Sequence, residues 1–189
     1  MTPRRRRRTS ACSRSPSAWD VTTGSDDVVV AVLDSGVDAT HPDLAGRLVA
    51  GTNIANHDND PADDRGHGTR MAGIIAAATN NRLGMAGVAW AGKIMPVKVA
   101  GPSGAAADRD VAAGIKWATD HGAKVLSLSL GAPGDDVVLQ QAVDYATAHD
   151  VLVVAAAGNG GSSVPEYPAA CRGVLAVGAT DTSGRRAPF

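Results

Sequence analysis

The sequence has 189 residues, 44% of them hydrophobic and 20% charged, with a formal net charge of −1; this is enough apolar material for one domain with its own core and excludes a disordered chain or a disulfide-stapled miniprotein. Only 3% of the residues are aromatic and 22 are glycine, so the core must be built from Ala and Val in closely packed layers joined by tight turns. Arg4 to Arg8 and Arg14 put six positive charges in the first 16 residues, leaving 12 basic against 19 acidic residues, a net −7, in the remainder; an acidic body excludes nucleic acid as an expected partner.

In chain order, residues 1–18 read as a disordered arginine-rich tail. Its charges could open an export signal, but Thr9 to Ser17 is polar where an apolar segment should follow, so no signal peptide is expected in the chain. No apolar run is long enough for a membrane span, which removes a membrane partner. Cys12 and Cys171 are the two cysteines, too few for a disulfide framework. From Asp27 onward short β-branched runs alternate with helical patterns. Strands are predicted at Val28 to Leu33, Leu48 to Asn53, Lys93 to Val99, Lys124 to Leu130, Val151 to Ala156 and Val174 to Val177, several of them apolar throughout, as strands covered on both faces are. Helices are predicted at Gly68 to Thr79, Asp108 to His121 and Asp136 to His149, with Asp108 capping the second, Gly122 ending it, and Asp135 or Asp136 capping the third. The repeating β, α, β order predicts an α/β three-layer sandwich with a mostly parallel central sheet, and places ligands at the carboxyl ends of the strands.

The first strand runs into Asp34-Ser35-Gly36. One glycine is not the Gly-x-Gly-x-x-Gly turn that pyrophosphate requires, which counts against a nucleotide-binding domain. An Asp closing an apolar strand needs a donor, or else merely caps its turn. His67, between Gly66 and Gly68 at a helix start, is a candidate donor: a carboxylate on one ring nitrogen fixes the tautomer and leaves the other nitrogen free to take a proton. Read alone, His67 could equally be a surface or capping residue. After another apolar strand come Ala156-Ala157-Gly158-Asn159, where an amide side chain can donate to a developing oxyanion or simply occupy a turn.

Together, Asp34-Ser35-Gly36, His41-Pro42-Asp43-Leu44, His67-Gly68-Thr69, Ser127-Leu128-Ser129-Leu130-Gly131 and Ala156-Ala157-Gly158-Asn159 resemble the subtilisin-like serine peptidases, in particular the thermitase-like branch, across residues 19–189, read as a partial peptidase domain. The resemblance implies a serine endopeptidase in which Asp34 orients, His67 is general base and then general acid, and Asn159 stabilises the oxyanion. The family's nucleophile lies in a Gly-Thr-Ser-Met-Ala string that does not occur here, so the chain is expected to stop short of it. Loss of that serine costs subtilisin itself about 2 × 10⁶ in kcat, so these residues alone are expected to show trace hydrolysis at most. A noncatalytic peptide-binding remnant is the alternative.

The resemblance further implies a polypeptide substrate lying as an added strand between Ser129, Leu130 and Gly131 on one side and Gly101 to Gly104 on the other. Ala156, Ala157 and Gly158 would wall the first side-chain pocket. Glu166, the only glutamate in the chain, would stand at its base and favour a Lys or Arg side chain, or else be a solvated loop residue. Structural calcium is implied at Asp43 and Asn81 with backbone oxygens of Thr79, Leu83 and Met85. A second calcium is expected where Asp58, Asp60, Asp63 and Asp64 crowd four carboxylates, unless the loop is simply solvated. Family habit implies a secreted monomer and an inhibitory propeptide. Arg70-Met71 departs from the family's usual His-Val after His-Gly-Thr.

Overall fold

The computed structural model describes residues 15–134 and 137–189. The arginine run and the two predicted helix caps Asp135 and Asp136 lie outside the described residues. Ser15–Ala18, placed in the tail by its polarity, forms a single helical turn (α1), and the adjoining Trp19 rests on Trp90 with ring centroids 4.9 Å apart.

Six strands form one parallel sheet: β1 (Gly24–Asp34), β2 (Thr52–Asn53), β3 (Ala91–Lys98), β4 (Val125–Leu128), β6 (Leu152–Ala156) and β8 (Val174–Val177), in the spatial order β2-β3-β1-β4-β6-β8. The predicted second strand is cut to two residues, with Leu48 contributing only an isolated bridge to Ile94. Helices α2 (His67–Ala76), α3 (Asp108–Asp120) and α4 (Val137–Ala148) lie where helical spacing put them. A small antiparallel pair, β5 (Ala132–Pro133) with β7 (Glu166–Tyr167), was not legible as strands. Two-residue strands carry too few side chains for a period to show.

Alternation along β1 sorts its side chains between two cores. Ala31 and Leu33 join Met95, Val97, Leu126, Leu128 and the buried faces of α3 and α4, whereas Val32 joins Ile94 and the α2 residues Ala72 and Ala76. A period of two then sends the side chain of Asp34 to the α2 face, the side from which His67 approaches. The strand order reverses around β1, with β3 on one side and β4 on the other. Loops leaving β1 and β4 therefore diverge and open a crevice at the carboxyl edge of the sheet.

The expected cap of α3 differs: Ala107 is the N-cap in extended conformation, and Asp108 is the first helical residue. There its carboxylate stands at the positive end of the helix dipole without occupying the capping position. At the other end Gly122 has φ +87°, and the Ala123 amide donates to the Ala118 carbonyl at 3.0 Å. This is the closing bond of a Schellman turn, which needs the left-handed geometry glycine supplies.

Candidate active site

Asp34 is 6% exposed at its side chain, and both its oxygens face Nδ1 of His67, at 2.8 and 2.9 Å. Oδ1 also accepts the Ser35 amide at 2.7 Å, so the carboxylate holds its own turn and the imidazole at once. A carboxylate can only accept, which puts a proton on Nδ1 and leaves Nε2 as the basic nitrogen. The His67 side chain is 45% exposed, so that nitrogen is open to a reactant. The approach depends on Gly68, where a Cβ would lie 2.1 Å from the Gly36 carbonyl oxygen.

Asp34, Ser35 and His67 share a cleft of about 310 Å³ with Arg65, Ala100, Gly104, Ser129, Leu130 and Gly131. Gly104 and the Ser129–Gly131 segment are thus brought to the Asp–His pair. Gly101 is not: its amide donates to the Ala105 carbonyl and its carbonyl accepts from Gly104, closing its own turn. Asn159 lies in an exposed turn after β6, on the same sheet edge but two strands from Asp34, and does not line the cleft. A separate hollow of about 140 Å³ gathers Ala157, Gly158, Gly160, Glu166 and Arg186. Ala156 ends β6, paired with Val177. The Glu166 carboxylate packs so closely that a Cβ on Gly158 would sit 2.2 Å from its Cδ.

Asp43 is 4% exposed and accepts from Asn81 Nδ2 at 2.6 Å and the Met85 amide at 3.1 Å. The Leu83 amide donates to Asn81 Oδ1, and Thr79 Oγ1 is buried without a partner. The carboxylates of the second cluster are met by donors of the protein itself. Among the described residues no three His, Cys, Asp or Glu side chains converge as metal ligands, and the carboxylates of Asp58 and Asp60 turn onto the amides of Asp60 and Ala62. Asp64 pairs with buried Lys98 at 2.9 Å, and Asp63 faces the start of α2. Lysine and amide donors thus meet all four carboxylates.

Lys98 and Arg65 escaped the sequence reading, and Asp63 entered it only as one carboxylate of the acidic cluster. Lys98 is 2% exposed and donates to the Ser35 carbonyl at 2.6 Å, which ties the turn after Asp34 to the neighbouring strand. Arg65 reaches across the cleft to the Pro102 carbonyl. For Asp63, burial raises the pKa, but hydrogen bonds from the Thr69 side chain, the Arg65 and Thr69 amides and the Ser35 hydroxyl outweigh it and bring the value from 3.8 to about 2. Arg70 is exposed. No helix among the described residues is long and apolar enough to cross a membrane.

Comparison with known proteins adds sequence relatives to this geometry. The model of the subtilase family matches residues 25–189. Thermitase of Thermoactinomyces vulgaris is 46% identical over 176 residues, covering 93% of this chain and 63% of thermitase. The thermophilic serine proteinase of Bacillus sp. (strain AK1) is 46% identical over 172 residues, 91% of this chain and 43% of that protein. Subtilisin BL of Lederbergia lenta is 46% identical over 167 residues, 88% and 60% of the two chains. The chain therefore spans less than two thirds of the length of these relatives.

Proposed function

The chain belongs to the subtilase family, and from that premise we propose that it supplies the acid–base and substrate-binding part of a serine endopeptidase. The observation that carries the proposal is the Asp34–His67 pair at 2.8 Å, made through Nδ1, with His67 lining an open cleft. In this reading His67 Nε2 takes the proton of a serine hydroxyl as oxygen attacks the peptide carbonyl. Asp34 holds the tautomer and stabilises the imidazolium that forms, and the proton then passes to the leaving amine. Asn159, in the turn after β6 outside the cleft lining, is the proposed donor to the oxyanion from the same carboxyl edge of the sheet. The serine is assigned to no residue here. Ser35 is unsuitable, since its hydroxyl is buried, donating to Asp63 and accepting from the Gly68 amide.

An extended peptide lies along Ser129–Gly131, opposite Gly104, held by main-chain bonds that read little sequence. Glu166 favours a Lys or Arg side chain in the adjoining hollow by charge pairing. Calcium suits the Asp43 site: the buried carboxylate is met only by neutral donors, the Asn81 amide nitrogen and the Met85 amide, and the amide oxygen of Asn81 with the carbonyls of Thr79, Leu83 and Met85 would complete a hard-oxygen donor set. The ion would supply loop rigidity and no chemical step. Action outside the cell is the setting that the family resemblance implies.

The test is hydrolysis of fluorogenic peptides by the protein at the full length its gene encodes. His67→Ala is expected to lower kcat by about 10⁴-fold or more, and Glu166→Gln to abolish a preference for Arg over Phe peptides. Turnover that survives His67→Ala would refute the peptidase reading; equal cleavage of Arg and Phe peptides by the unsubstituted enzyme would refute the role of Glu166 alone.

A further inference from the structure

The hydrogen bonds of Asp63 converge on the two segments that carry the proton-transfer pair. Oδ1 accepts from the Ser35 hydroxyl at 2.8 Å and from the amides of Arg65 and Gly66 at 3.0 and 2.8 Å. Oδ2 accepts from the Thr69 amide at 2.9 Å and from the Thr69 hydroxyl. Ser35 follows Asp34 directly, and its hydroxyl accepts in turn from the Gly68 amide at 3.1 Å. The Thr69 hydroxyl likewise accepts from the Asp38 amide at 2.9 Å. The turn after β1, the loop before α2 and the first turn of α2 are thereby joined through one carboxylate.

We propose that Asp63 is a positioning residue: its carboxylate locks the turn after Asp34 onto the helix start that bears His67 and so sets the Asp34–His67 hydrogen bond. Asp63 touches neither ring nor carboxylate of the pair. All five groups it meets are donors, so an ionised carboxylate matches them, whereas an amide would turn its own N–H groups against some of them. Where Gly68 meets Gly36 the two segments touch backbone to backbone, so at that point neither offers a side chain to fix the register. The simpler role is a helix cap, in which the Gly66 and Thr69 amides matter and Ser35 does not. The proposal deepens the peptidase reading in its catalytic consequence, but the bond itself exists independently of turnover.

The experiment follows the low-field proton resonance of His67 Nδ1–H in the 189-residue chain by NMR, with circular dichroism and thermal melting as folding controls. Asp63→Asn is expected to keep the fold yet speed exchange of that proton with solvent about ten-fold or more, as a weakened buried bond does. Ser35→Ala, which cuts only the arm toward Asp34, is expected to act in the same direction. An unchanged exchange rate in folded Ser35→Ala reduces Asp63 to a cap and overturns the proposal, and this holds even if Asp63→Asn fails to fold. Absence of the resonance from the unsubstituted chain overturns the pairing and the proposal with it. A protein that shows the bond but cleaves no peptide refutes only the peptidase reading.

Discussion

Asp63 also makes a claim on stability. Its folded pKa of about 2 lies below the ordinary 3.8, so its ionised form stabilises the fold fully above pH about 4, and the contribution is lost as pH falls through about 2. With the carboxylate partly exposed, this amounts to roughly 1 to 2 kcal/mol. Melting of the native chain against Asp63→Asn should therefore show a gap near neutral pH that closes between about pH 4 and about pH 2; a gap independent of pH would refute the assignment of charge. At Asp43 the expected outcome concerns ligand. If calcium binds there, a concentration one hundred times Kd stabilises the chain by about 2.7 kcal/mol, and Asp43→Asn removes both the melting shift and the heat of calorimetric titration. Titration of the native chain with no heat and no shift would exclude the ion.

At the scale of elements, α3 meets the sheet through Gly114, where a Cβ would stand 2.7 Å from Val99 Cγ1, 3.2 Å from Val97 Cγ1 and 3.3 Å from Leu33 Cδ2. Alanine is the better helix former by about 1 kcal/mol, but two of the three neighbours are β-branched and stiff, and overpacking costs about 1 to 3 kcal/mol. Gly114→Ala is thus expected to lower the urea midpoint without changing the slope of the transition. A raised midpoint would mean the helix shifts outward at little cost. The same logic explains the low aromatic content: layers this close leave space for Ala and Val, as the buried Ala31, Ala72, Ala118, Val97 and Val153 show.

Across the whole molecule, order should be graded from the middle of the sheet to its edge. β1 is flanked by β3 and β4 and buried on both faces by its second half. β8 lies at the edge with Leu175 53% and Val177 50% exposed. Hydrogen exchange is expected to be slowest at Ala31–Leu33 and Leu126–Leu128 and fastest, among the strands, in Val174–Val177. Uniform protection would show that the sheet opens only as a unit.

What the sequence determined by itself is local and periodic: apolar runs made the central strands, helical spacing made α2, α3 and α4, and five motifs in order carried the family. Asp34 and His67 were legible because each sits beside a motif of glycines and at the end of an element. Asp63, Lys98 and Arg65 were not, because an acidic residue in a loop looks the same whether it meets calcium, water or a helix start. Only the tertiary structure decided that, by bringing donors from positions up to 63 residues apart to particular oxygens: it set the Asp58–Asp64 carboxylates on lysine, hydroxyl and amide donors, closed Gly101 into its own turn and placed Asn159 on the same sheet edge two strands from Asp34. Periodicity reports which face a side chain takes, whereas partnership depends on distances that chain order does not encode.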